Sequence, residues 1–405
     1  MPEENTAPKR PRVSIGMPVY NGGELLKSAL DSLIAQDFID FELIISDNAS
    51  TDATADICRD YSARDSRIRY LRRDKNYGSN NNAVYAFKQS TADYFMFAAH
   101  DDKWHPQYIS SCVKILDDKP CVVLAVPAVQ FFSPDDGSYC DFPYPPLHTE
   151  GLTLRSKAAA IFNETNVGYN TYGLYRRDAL SKTNFELDCY GGDVVMLMQI
   201  VFLGDVVYLP QKLFYYRLIR KTAKDQMDSV RTIGNEKYTT KPYTTLTINL
   251  FRAIMKAAIA PPLKRIILSD ALEIITIKNA DWRNAILSEN QSLIPFIDPG
   301  KAGFSSAAVN NLIAVFSALL LPYCGKDEPF ERIIDFHEID KFDTIPDEHQ
   351  KPPTPGQKEF METLTQLAEN KGAAEMLAYY ERYRSSLPDT ENLVKIDPMI
   401  KQCRK

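Results

Sequence analysis

From Arg12 to Ala98 the sequence repeats one pattern: a short apolar run, a polar loop, then a segment with helical spacing. Residues 13–17 form an apolar run of strand character stopped by Pro18, and residues 24–36 carry Leu25, Leu26, Ala29 and Leu33 at helical spacing. Residues 41–45 give a second strand, after which Ser50 or Thr51 is placed to cap a helix through Ala55, Ile57, Cys58 and Tyr61. Residues 68–71 and 94–98 supply two more strands, with a helix over 82–89 between them. Strands alternating with helices at this spacing require crossover units and a parallel sheet. In an open α/β sheet, ligands collect beyond the carboxyl ends of the strands. That rule selects residues 18–21, 47–52 and 100–102.

At 405 residues the chain exceeds one ordinary domain, and the pattern changes accordingly. Residues 1–11 read as a solvated tail, 12–222 as the α/β domain and 223–405 as a helical C-terminal region. Helical periodicity covers 243–258, 263–277, 307–321 and 359–384, and the proline-rich stretch 345–357 reads as a linker. The net charge of -6 argues against nucleic acid as a partner, which would need a basic stripe. The local clusters Arg72, Arg73, Lys75 and Arg217, Arg220, Lys221 suit a diphosphate or an acidic lipid head group better.

Seven dispersed cysteines without a Cys-x-x-Cys pair, mostly in apolar surroundings, read as reduced core thiols. The N-terminal residues lack the apolar segment of a signal peptide. The apolar stretch 312–321 is about half of what spans a bilayer. The expected location is therefore cytoplasmic, with any membrane association peripheral, at the inner face.

The three strand ends carry chemistry a nucleotide diphosphate needs. The turn Pro18-Val19-Tyr20-Asn21-Gly22-Gly23 offers backbone groups to a base edge and the Tyr20 ring to its face. Asp47 stands just past a strand, where it can accept a hydrogen bond from a pyrimidine N3–H, whereas Asp52 reads as an ordinary acid in a first helical turn. In the third end, Ala98-Ala99-His100-Asp101-Asp102-Lys103, adjacent carboxylates beyond a buried strand call for a compensating cation. Mg²⁺ characteristically binds one or two carboxylates plus substrate phosphates.

In this order and spacing the chain resembles the inverting family 2 glycosyltransferases of the GT-A fold. The resemblance runs over residues 12 to about 218. It is carried by Pro18-Val19-Tyr20-Asn21, Asp47 to Asp52, Asn76-Tyr77-Gly78 with Asn82, Asp101-Asp102 with Pro106, Arg176-Arg177, and Gly191-Gly192-Asp193 with Leu197. It implies an α/β GT-A domain with a mixed, mostly parallel sheet, and an enzyme moving a sugar from a nucleotide-diphosphate donor, UDP-sugar favoured, to a glycan, lipid-linked or other acceptor. Pro18, Val19, Tyr20, Asn21, Asp47, Asn76, Gly78, His100 and Asp102 are then expected at the donor. Asp101 and Asp102 are expected at Mn²⁺ or Mg²⁺, and Asp193 as general base. Inversion needs one carboxylate on the face opposite the leaving group, and Gly191-Gly192 before Asp193 allows close approach.

Two departures stand out. Ala99 occupies the position of the motif's first acid, and Asn81 replaces a cation that relatives carry after the Asn-x-Gly turn. Diphosphate neutralisation then falls to Lys75 or Arg217. The first loop lacks the Gly-x-Gly signatures of pyrophosphorylases and dinucleotide-dependent oxidoreductases. The competing expectation is a degenerate GT-A domain that binds a nucleotide sugar or a partner without catalysis. The helical region is expected to mediate homo-oligomerisation, dock on a membrane, or cover the acceptor site. Residues 134–152, rich in Pro, Tyr and Asp, are expected to shape acceptor choice.

Overall fold

The computed structural model describes residues 10–133, 137–142, 146–163, 167–183, 190–217 and 241–289. The chain divides into two compact units, Met1–Thr239 and Thr240–Lys405. The expected boundary at 222, the helices over 307–321 and 359–384, the linker at 345–357, and Arg220 and Lys221 lie outside the described residues.

The first unit is an α/β sheet domain. Strands β1 (Val13–Val19), β2 (Phe41–Asp47), β3 (Ile68–Arg72) and β4 (Tyr94–Phe97) alternate with helices α1 (Leu25–Ile34), α2 (Thr54–Arg64) and α3 (Ser79–Lys88). The mixed half follows. It comprises β5 (Lys103–Trp104), α4 (Tyr108–Asp118), β6 (Val122–Phe132), β7 (Tyr139–Asp141), α5 (Leu154–Asn163), a 3₁₀ turn (Val167–Tyr172), β8 (Leu174–Arg176), α6 (Arg177–Ser181), α7 (Gly192–Leu203) and β9 (Asp205–Arg217). The strand order is β3-β2-β1-β4-β8-β6-β9-β5, with β7 on β6. β1 lies between β2 and β4, parallel to both, so the chain leaves it first to one side and later to the other. β8 is antiparallel to β4 and β6, while β6 and β9 pair in parallel over ten register positions.

Strand β1 does not stop at Pro18, as the proline suggested, but runs on to Val19. β4 has ended opposite Gly16, so Pro18 sits where one side of the ladder is already free and its missing N–H breaks nothing. Pro127 in β6 is accommodated at a register shift against β9. The cap of α2 also differs from expectation. Ser50 turns towards Asn21, and Asp52 accepts the Thr54 N–H at 3.0 Å in its place.

The core lies where α1, α2 and α4 cover one sheet face. Leu26, Leu30, Leu33, Ile57, Ile109 and Leu116 meet Ile15, Met17, Leu43, Ile45 and Met96, all buried. Burying such side chains contributes about 1.5–3 kcal/mol each, which is why the apolar spacing in residues 13–45 so strongly constrains the fold. Among the described cysteines, Cys58 and Cys112 are buried as expected, but Cys121 and Cys140 are exposed, contrary to the reading of apolar surroundings. Burial pushes the Cys58 thiol up to about 12, so that it stays protonated.

The second unit contains α8 (Pro242–Lys256), α9 (Pro261–Glu273), a π turn (Ile274–Lys278) and α10 (Ala280–Glu289). Glu289 accepts the N–H groups of Tyr243 and Thr244 at the start of α8, and the Trp282 indole donates to Thr247 at 2.9 Å. Among the described residues no helix is long and apolar enough to cross a membrane.

Candidate functional site

Side-chain amides tie the first two of the three strand ends selected from the sequence to each other and to the Asn76–Gly78 turn, and the third meets the first loop through His100. Asn21, held at φ 51, donates its N–H to Ser50 Oγ at 2.9 Å and accepts the Thr51 N–H through Oδ1 at 2.8 Å. Asn48 donates its N–H to the Val19 carbonyl and its side-chain amide to Asn76 Oδ1 at 2.6 Å, and accepts the Tyr77 N–H at 3.0 Å. Asn76 Oδ1 also accepts the Gly78 N–H, and the Gly78 carbonyl accepts from Asn48. Asn82 brackets Ser46 beneath them. Asn21, Asn76 and Gly78 thus act in this structure on neighbouring loops. Their polar groups hold the floor of a site whose exposed top is the Tyr20 ring.

Asp47 is fully buried at the end of β2. One carboxylate oxygen accepts the Ser50 N–H at 2.8 Å. The other accepts the Tyr70 hydroxyl at 2.7 Å and the Arg72 guanidinium at 3.1 Å. A carboxylate offers about four lone-pair sites, so a base edge would take the one remaining or displace a present partner. Tyr70 and Arg72 were not legible as partners of Asp47. Arg72 also binds the Ser50 carbonyl, and Arg73 lies over the rings of Tyr77 and Tyr85. These two arginines, read from the sequence as a diphosphate cluster, are therefore engaged with the loops. Lys75 is exposed, with its ammonium 5.0 Å from the Tyr77 ring centre.

At the end of β4, His100 packs back on the first loop. A Cβ at Gly22 would lie 2.8 Å from Val19 and 3.0 Å from the His100 ring. Burial, partly opposed by Asp101 and Asp52, lowers the His100 pKa and keeps its imidazole neutral at pH 7. Asp102 is 1 % exposed. Its Oδ1 accepts the Arg217 N–H at 2.8 Å, while its Oδ2 is buried without a partner. Burial pushes this carboxyl up to about 8, the Arg217 N–H pulls against it, and the neighbouring Asp101 adds to it.

Asp193 occupies the first turn of α7, entered through Gly191 in the left-handed region at φ 67. Helix α7 buries Val195, Met196, Leu197, Met198, Ile200 and Val201, and packs on α5 and the 3₁₀ turn. The carboxylate lies against the backbone of Gly168, where any Cβ would collide with Oδ2. Burial raises the Asp193 pKa, with its own N–H and that of Val194 acting in opposition.

Two tyrosines that sequence reading missed connect these acids. Tyr172 in the 3₁₀ turn and Tyr216 near the end of β9 each interact electrostatically with Asp101, Asp102 and Asp193. Their rings stand 6.3 Å apart, and Tyr169 meets Tyr216 edge-on at 4.8 Å. Tyr172 and Tyr216 arrive from segments 44 positions apart, with no motif of their own to announce them. Arg217 is brought to Asp102 and His100, whereas Lys75 lies over the Tyr77 ring. Arg176 and Arg177 bind carbonyls of Val122 and Lys119 and the Ser90 hydroxyl, which makes them braces of the sheet.

Comparison with known proteins agrees with this architecture. The family model described as Glycosyl transferase family 2 matches residues 14–183. The chain is 23% identical over 223 residues to the glycosyltransferase GlyA of Streptococcus pneumoniae serotype 4, covering 51% of this chain and 30% of that protein. It is 34% identical over 116 residues to the uncharacterized glycosyltransferase RT0329 of Rickettsia typhi, covering 28% of this chain and 35% of that protein. The chain thus spans about a third of the length of these relatives. Among solved structures it resembles S. aureus TarS 1-349 in complex with UDP-GlcNAc, with a TM-score of 0.52 and 16% identity over 77% of this chain and 89% of that one. That likeness is one of fold. Residues 14–183 thus match glycosyltransferase family 2.

Proposed function

We propose that the chain transfers a sugar from a nucleotide-diphosphate donor, a UDP-sugar in the first instance, to an acceptor hydroxyl with inversion, and that Asp193 is the general base. The observation carrying this reading is the Asp193 carboxylate at the glycine-led start of α7, packed against the Gly168 backbone and within electrostatic reach of Tyr172 and Tyr216, as Asp101 and Asp102 are. A carboxylate whose pKa is raised by burial is a better proton acceptor once ionised, which suits a base that takes the acceptor's proton during attack. The complex of TarS with UDP-GlcNAc supports the choice of a uridine nucleotide for the first assays.

The donor set fits a divalent cation in part. Asp102 Oδ2 is a buried oxygen without a partner, adjacent to Asp101. Among the described residues no three acidic, histidine or cysteine side chains gather around a common point. Asp101 and Asp102 would hold Mn²⁺ or Mg²⁺, with diphosphate oxygens and water completing the shell. When bound, such a cation stabilises charge developing on the departing diphosphate. Arg217 stands where it can add to that stabilisation, and neutral His100 where it can hydrogen-bond the donor. Asp193 takes the proton from the acceptor hydroxyl as the new bond forms.

Hydrolysis of UDP-sugars, measured with and without Mn²⁺ for wild type and Asp193→Ala, tests the reading. Turnover stimulated by Mn²⁺ in the wild type and abolished in Asp193→Ala supports it. Turnover equal in the two proteins removes Asp193 as the base, and nucleotide binding with no turnover of any donor favours the degenerate binding domain.

A further inference from the structure

A second cleft, of about 190 Å³, opens along β6 and β9, beside Phe142 and Pro146. Its walls include Phe142, Tyr169, Asn170 and Tyr208, and its rim carries Asp141 and Lys212. None of these residues belongs to the donor site described above. Phe142 and Tyr169 meet at 4.7 Å with an interplanar angle of 70°, forming an aromatic corner. Lys212 is 2.7 Å from Asp141, and both act on the Tyr208 hydroxyl.

The chemistry of the walls restricts the ligand. Drug-sized sites occupy roughly 300–1,000 Å³, so this cleft is too small for a nucleotide sugar and suits a single ring. Aromatic faces carry negative charge density and favour the weakly positive C–H face of a pyranose. Asp141 and Lys212 neutralise one another, which leaves donors and acceptors for hydroxyls without net charge for an anion. The cleft also shares an aromatic contact with the candidate site. Tyr169 lines it and packs against Tyr216, which borders Asp101, Asp102 and Asp193.

We propose that this cleft is a subsite for a neutral pyranose ring of the acceptor glycan, one that holds the chain while a hydroxyl farther along it reaches Asp193. The acceptor assignment rests on the glycosyltransferase reading, whereas the binding of a neutral sugar ring does not.

Saturation-transfer NMR on the full chain tests it, using the methyl glycosides of glucose, galactose, mannose and N-acetylglucosamine as probes and glycerol 3-phosphate as the anionic comparison. Each is recorded with and without UDP and Mn²⁺. At least one glycoside is expected to receive saturation that UDP does not displace and that glycerol 3-phosphate does not suppress. Tyr208→Ala and Phe142→Ala should each weaken its binding by about fivefold or more, the scale of one aromatic contact. Should an aromatic variant lose its cooperative melt, exposed Lys212→Met replaces it, with a similar loss expected.

The proposal is overturned if no glycoside binds, if UDP displaces the signal, if glycerol 3-phosphate suppresses it, or if the folded variants bind as wild type does. A UDP-induced rise in melting temperature, read on the same samples, reports the donor site separately. Glycoside binding without that rise would sink the uridine donor and leave the cleft standing.

Discussion

Asp47 is fully buried and accepts three hydrogen bonds, from Ser50, Tyr70 and Arg72, whereas Asp102 is 1 % exposed and one of its oxygens accepts none. Both follow parallel strands of the same sheet, yet their surroundings differ in kind. Around Asp47, loops from three crossovers are stitched by asparagines until nearly every polar group has a partner. Around Asp102 and Asp193 the neighbours are tyrosine rings and backbone, and burial raises both carboxyl pKa values. A satisfied buried carboxylate fixes geometry, while an unsatisfied one stores unfavourable energy that a ligand can relieve. The parallel half of the site thus has its polar groups satisfied, and the mixed half keeps buried acids whose charge a ligand would relieve.

Asp193→Asn is the most severe way to test that contrast. Loss of a general base should lower transfer by about 10²–10⁴-fold while leaving UDP affinity within about twofold. Steady-state kinetics beside UDP titration separate the two, and a parallel loss of UDP affinity would break the division of labour.

Gly168→Ala sharpens it. The new methyl would push on Asp193 Oδ2, and a displacement of about 1 Å can cost up to about 10²-fold. The variant should fold, keep its donor affinity and lose turnover; wild-type kcat would place the carboxylate's working position elsewhere.

For Asp102 the contrast predicts a pH dependence. The unfolded carboxyl titrates near 3.9 and the folded one at about 8. Between these values the folded state keeps a proton that the unfolded state has lost, so stability falls as pH rises, by up to about 1.4 kcal/mol per unit. Above about pH 8 the slope disappears. The difference between wild type and Asp102→Asn in urea melts of EDTA-treated protein, from pH 5 to 8, should show this slope, and Mn²⁺ should reduce it. A flat difference would mean that Asp102 is already compensated.

Tyr70→Phe is the mildest change. It removes one donor to Asp47 and should lower stability by about 1–2 kcal/mol without altering kcat. A larger loss in kcat than in stability would make the parallel half a participant in the reaction.

The same division governs what could be read from the sequence. Residues 13–98 were legible because apolar runs, helical spacing and polar strand ends recur there in a fixed order. The helix start at Asp193 was legible because two glycines precede it at the head of an apolar run. Strand β6 escaped notice: Val122–Ala128 is buried throughout, so it lacks the alternation that marks a half-exposed strand. The two-residue strand β5 is defined only by its pairing with Phe214 and Tyr215. The aromatic lining of the site comes from β6, the 3₁₀ turn and β9, which meet only through tertiary packing. The basic cluster at 72–75 misled because local charge does not reveal that Asp47 and two tyrosine rings take up its arginines.

The order of the strands along the chain has a consequence for synthesis. β1 to β4, with their three connecting helices, are complete by Phe97, whereas Tyr216 and Arg217 emerge about 120 residues later. At about 5–20 residues per second, the floor of the site exists for roughly 6–24 s before its wall can form. The later strands then assemble on β4, whose free edge receives β8. Ribosome-arrested chains ending near residue 130 should show protected amides in β1 and β2 by hydrogen exchange, and none in β6. On that order, the asparagine-stitched loops precede Tyr216 and Arg217 by more than a hundred residues of synthesis.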